Sequence, residues 1–124
     1  MVMAKIIALL KQYQISDSDS YALENFKSRD GFQVITDDDL EGMMKFFDQY
    51  PTDFEGILPI MTDDNSNYLC VYYTGEDKDK VCYLSHDEIN LAPKFKSIES
   101  LIHIVNENPE AWDFHELPDA NLDF

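Results

Sequence analysis

Basic residues are scarce in this chain. Nine Lys and Arg stand against 25 Asp and Glu in 124 residues, for a formal net charge of −16. Phosphate backbones and anionic lipid surfaces repel such a molecule, so neither nucleic acid nor membrane is an expected partner. Glycine is also sparse, with four residues, and no Gly-rich phosphate loop or GxSxG elbow occurs. The two cysteines, Cys70 and Cys82, suggest no disulfide framework, and neither has a CxxC neighbour of the zinc type. They read as small buried hydrophobes in a reduced, cytoplasmic protein. No apolar run approaches the ~18 residues of a membrane span. "VMAKIIALL" is interrupted by Lys5, and no small-residue cleavage site follows it.

Apolar and aromatic residues are plentiful. Hydrophobic residues make up 44% of the chain, with eight Phe, seven Tyr and one Trp. That content supports a packed core and argues against disorder. With no linker, repeat or break in composition, residues 1–124 read as a single domain. The character changes only near the end, where Glu99 to Phe124 holds seven acidic residues and no Lys or Arg. Residues 107–124 are an acidic C-terminal segment that either packs on the domain or contacts a partner.

Four stretches have helical spacing. Ile6, Leu9, Leu10 and Tyr13 form a stripe that predicts a helix over about residues 2–13. Ser16 caps a second helix, with Asp19 answering three residues later, and Asp30-Gly31 is its stop. Thr36 begins a third, with Asp37, Asp38 and Asp39 in the first turn where the helix dipole favours carboxylates. Leu40, Met43, Met44 and Phe47 are its apolar face. Ser97 precedes the fourth, which buries Ile98, Leu101, Ile102 and Val105 before Asn108-Pro109. Strand-like runs lie among these helices: "FQVI", "ILPI", "NYLCVYYT" and "KVCYL". Pro59 confines "ILPI" to an edge or a bulge. The last two runs, joined by "GEDKD" as a hairpin, do not alternate cleanly, which predicts cover on both faces.

Candidate chemistries fail on geometry. In "DDNSN", Asp63, Asn65 and Asn67 alternate as in a calcium loop, but Tyr68 takes the place of the turn Gly, and Thr74 that of the closing Glu. A connection between strands is the simpler reading. The adjacent Ser85, His86 and Asp87 cannot form a catalytic relay, which needs residues from separate segments. His86, His103 and His115 are dispersed. No catalytic residue, metal or cofactor is expected, and the chain reads as a non-enzyme.

From Gly31 onward, the order of "GFQVI", "TDDDLEGMMKFF", "LPIMTDDNSNYLCVYY", "KVCYLSHDE" and "LAPKFKSIESLIHIV" resembles the SUKH superfamily, the Smi/Knr-type domain. Leu58-Pro59-Ile60, Asp63-Asp64, Leu69 to Tyr73, Val81, His86-Asp87, Ala92 and Ser97-Ile98 occupy the motif positions, over roughly residues 31–106. Ser66-Asn67 departs from the usual Gly-Asp end of the acidic turn, and the N-terminal "LP-x-x-Y" segment is not evident. The resemblance implies an α+β fold, a twisted, mainly antiparallel sheet with helices packed against it. It also implies protein binding, since bacterial members are associated with immunity to toxin domains, often nucleases, and fungal ones with regulation of cell-wall synthesis. A basic toxin domain is therefore the expected partner. The candidate contacts are Asp37, Asp38, Asp39, Asp63, Asp64, Glu110, Trp112, Asp113 and Glu116, with Trp112 either an interface anchor or a core residue. A regulator or scaffold of the same fold is the first alternative, and a small-ligand-binding protein or enzyme the second. A monomer is slightly favoured.

Overall fold

Hydroxyl side chains start three of the helices, as the sequence predicts. The computed structural model describes residues 4–28, 32–62, 67–85 and 91–111. Ser16 Oγ accepts from the Asp19 N–H at the start of α2 (Asp17–Glu24). Thr36 Oγ1 accepts from Asp39 N–H at the start of α3 (Asp37–Gln49), and Ser97 Oγ from Ser100 N–H at the start of α4 (Ile98–Glu107). Each such cap is worth about 1 kcal/mol. The first helix, α1, spans Ala4–Gln12.

Five antiparallel strands form one open sheet in chain order: β1 (Gln33–Val34), β2 (Ile57–Thr62), β3 (Tyr68–Tyr72), β4 (Val81–Leu84) and β5 (Pro93–Phe95). With four helices among the described residues, the fold is α+β. The register of β2 on β3 runs from Ile57 opposite Tyr72 to Thr62 opposite Tyr68, so the two successive strands pair antiparallel along their length. Pro59 lies in an interior strand beside a bulge between Pro59 and Met61, one of the two places the sequence allows it. The bulge turns Ile60 and Met61 to the same side of the sheet. Gly56, at φ +78°, leads the chain into β2, and a Cβ there would stand 3.0 Å from the Thr74 methyl.

Both faces of the sheet are covered. Leu58, Ile60, Leu69, Val71, Val81, Tyr83 and Phe95 pack with Ile6, Leu10, Leu23, Ile98, Leu101 and Val105 from α1, α2 and α4. The alternate residues Ile57, Cys70, Cys82 and Leu84 pack on the other side with Phe47 and Phe54, and Leu91 lies against them. The third helix serves both layers, since its Leu40 belongs to the first cluster and its Phe47 to the second. All four residues of β4 are buried, which explains why its sequence does not alternate.

Sequence spacing misses β5. It has three residues, begins with Pro93 and contains Lys94, too short and too polar to register as a strand. Asp19 also departs from expectation. Its carboxylate, 3% exposed, does not serve its own helix end but accepts from the Glu99 N–H at 2.9 Å, with Ile98 N–H also within its reach. It therefore sits on the N-terminus of α4, where the helix dipole favours negative charge. The helix α2 packs along α4 at this junction. Ser20, the next residue, is buried as well, and its Oγ has no partner among the described residues.

Three variants test this junction by urea unfolding. Asp19→Ala removes the acceptor and is expected to cost about 1–2 kcal/mol. Burial raises the Asp19 pKa above its ordinary value, and the N–H groups of Glu99 and Ile98 oppose the shift without cancelling it. The folded state therefore binds this proton more tightly than the unfolded state. The stability linked to it is present in acid and lost as pH rises through the folded pKa. Asp19→Asn, which keeps an uncharged acceptor, should accordingly gain on the native protein as pH climbs out of the carboxyl range. Ser20→Ala should leave stability unchanged or raise it by up to about 1 kcal/mol, because it removes a buried hydroxyl that no group satisfies. A loss larger than that would mean that Ser20 has a partner.

Candidate functional site

The three aspartates at the start of α3 do not form one free acidic row. Asp37 Oδ1 accepts from Lys5 N–H at 3.1 Å and so caps the first turn of α1. The Lys5 ammonium pairs with Glu41 on the same helix, so α1 is tied to α3 by a cap and an ion pair. Both ends of that pair are half exposed, which makes it a weak contributor. Asp39 Oδ1 accepts from the Tyr68 hydroxyl at 3.4 Å and is itself half-buried. Asp38 is exposed and turned outward. Of the three aspartates expected as contacts, Asp37 and Asp39 also serve the fold internally, and Asp38 alone is exposed.

Glu110 is exposed in the turn after α4. Asp63, Asp64, Trp112, Asp113 and Glu116 lie outside the described residues.

No other arrangement on the sheet has the form of a reactive centre. Cys70 and Cys82 are register partners on β3 and β4, both unpaired as thiols and fully buried. Burial, and then the neighbouring Cys82 thiol, pushes the Cys70 pKa well up, which disfavours the thiolate a nucleophile or metal ligand requires. The Tyr72 hydroxyl donates to the Leu91 carbonyl at 2.5 Å, and burial pushes its pKa up to about 12. His103 is exposed, with Nε2 3.2 Å from Glu107 across one turn of α4. Among the described residues, no group of three or more His, Cys, Asp or Glu is placed to hold a metal ion. No described helix is long and apolar enough to cross a membrane.

One surface feature was not singled out from the sequence. Phe46 and Tyr50, 41% and 47% exposed, stand one turn apart on α3 with ring centroids 5.3 Å apart. Phe46 also meets Phe54 at 5.3 Å, and Phe54 stacks on Phe47 at 4.8 Å. An aromatic row therefore runs from the core outward to solvent. Sequence spacing gave no signal for it: Met43, Phe46, Phe47 and Tyr50 themselves stand at i, i+3, i+4 and i+7, a pattern that reads as burial.

The sheet edges offer little to a partner. At two and three residues, β1 and β5 are too short to accept an added strand along any useful length, and Pro93 removes a donor from β5. Among the described residues, neither edge is a template for strand addition. Comparison of the chain with family models, curated proteins and solved structures finds no match.

Tyr68 provides a titration test of the tie to α3. Burial, and then the Asp39 charge, pushes its pKa from 10.0 up to about 12. The folded state keeps this proton where the unfolded chain has released it. The associated stability is complete below the unfolded pKa and declines as pH rises toward 12. Tyr68→Phe should show a shallower loss of stability between about pH 10 and pH 12 than the native protein, measured by urea midpoints. Identical slopes would remove the link between Tyr68 ionisation and folding.

Proposed function

We propose that the protein is a non-enzymatic binding domain of the immunity type, which neutralises a basic toxin domain by covering its working surface in the cytoplasm. The observation that carries this reading is the net charge of −16. Exposed carboxylates on a rigid α+β frame supply the chemistry a cationic protein surface recognises. A nuclease must present cations to phosphate, and carboxylates can occupy the same positions. The order of elements from residue 32 to 107, a short strand, a helix with an acidic first turn, a four-stranded meander and a final helix, is consistent with the resemblance to Smi/Knr-type domains.

Magnitudes separate what charge contributes from what packing contributes. Charges at the rim of such an interface mainly raise the association rate, whereas desolvated pairs at its centre range from near neutral to several kcal/mol. Acid excess alone therefore accounts for speed and selectivity, and tight binding needs buried anchors in addition.

The test uses the purified chain and the basic domain encoded by an adjacent reading frame. Equimolar protein should abolish that domain's activity. The association rate should fall at least about tenfold as ionic strength rises from about 0.02 to 0.5 M. An active toxin domain in the presence of excess protein would refute inhibition, and binding without loss of activity would favour a regulatory scaffold.

A further inference from the structure

On the reading that this is a protein-binding domain, we infer that the flank of α3 carrying Gly42 and Phe46, extended by Tyr50 at its C-cap and backed by the buried Phe54, is a docking surface for a basic protein segment that presents arginine. Three observations converge there. The first is exposure of neighbouring aromatic rings: Phe46 and Tyr50 stand 41% and 47% exposed beside each other. Single exposed aromatics such as Tyr21 are ordinary, but these two are in ring contact with one another and with Phe54. Such a row is a preformed apolar platform.

The second is Gly42. It lies inside α3, one turn before Phe46, where glycine costs about 1 kcal/mol relative to alanine. A Cβ at this position would meet nothing within 4 Å, and no positive φ demands glycine. The fold itself gains nothing from the missing side chain. A partner does gain from it, because a bare helix backbone one turn from an exposed ring allows close approach.

The third is charge. Between residues 37 and 55 the chain carries seven carboxylates and one Lys. Asp38, one turn before Gly42, and Asp53, next to Phe54, are both exposed at the two ends of the row. Guanidinium groups stack on aromatic faces and pair with carboxylates, so arginine satisfies ring and rim together, better than the more strongly hydrated lysine. An anionic lipid surface is repelled by the same carboxylates.

The experiment is an NMR titration of the labelled protein at about 0.15 M ionic strength, where exposed charges more than ~8 Å apart are largely screened. The probe is a synthetic amphipathic peptide with arginine and leucine on one face, and its control has glutamate in place of arginine. The arginine peptide should shift amides concentrated in residues 42–54, and the control should shift none. The double variant Phe46→Ala/Tyr50→Ala should weaken binding about tenfold. Gly42→Gln should weaken it comparably while the urea midpoint stays at or above that of the native protein, which separates loss of docking from loss of fold.

Shifts spread over acidic residues on every face, or unchanged affinity in Gly42→Gln, would overturn the assignment. Shifts in 42–54 that grow with protein concentration before any peptide is added would also overturn it, by making a second copy of the chain the occupant. Peptide binding at another face would leave the protein-binding reading standing and remove only this surface. Failure to inhibit a toxin domain, with this surface intact, would remove only the immunity reading.

Discussion

A small sheet covered on both sides constrains everything else in this protein. One interior strand, β4, buries all four of its residues, and the neighbouring strands alternate between one apolar layer built with α1, α2 and α4 and another closed by Phe47 and Phe54. Burial of each large apolar side chain contributes about 1.5–3 kcal/mol, whereas a surface ion pair contributes under about 1 kcal/mol. The hydrophobic layers therefore hold the fold, and the acidic surface is free to vary in pattern without endangering it. One helix, α3, belongs to both layers, so its orientation is fixed from two directions.

Much of the fold was legible where the signal is local. Ser16, Thr36 and Ser97 cap helices because a hydroxyl before an apolar-periodic run has few other uses. Ile98, Leu101, Ile102 and Val105 are buried on the one face their spacing defines. Pro59 announced a bulge for want of an N–H, and the unbroken apolar character of β4 announced cover on both sides. Three residues were read less well, each for a physical reason. The role of Asp19 depends on a helix that starts some 80 residues later, and no local pattern encodes that distance. Asp37 and Asp39 looked like surface charge because three acids at a helix start are explained by the dipole alone. Their tertiary partners, Lys5 N–H and Tyr68, come from other elements. The strand at Pro93–Phe95 exists only because β4 offers it a ladder.

Of the candidate site, the sequence carries the charge and not the placement. Charge excess pointed to a cationic protein partner, and that remains the property on which the functional reading stands. Position requires knowing which carboxylates the fold consumes, and the sequence alone does not contain that. At the start of α3 it consumes two of three. The aromatic row at the other end of that helix became visible only when packing fixed which face of α3 is inward, leaving Phe46 and Tyr50 partly open to solvent.

The contact between Asp19 and the first turn of α4 has a consequence for how the molecule is made. A ribosome releases α2 well before α4, and until Ile98 and Glu99 have emerged the Asp19 carboxylate can be satisfied only by water. The two helices cannot close over the sheet while that ion remains hydrated. Nascent chains that stop short of α4 would therefore keep the first apolar layer open and prone to aggregation. For this topology, compaction comes late in translation and does not proceed gradually from the N-terminus.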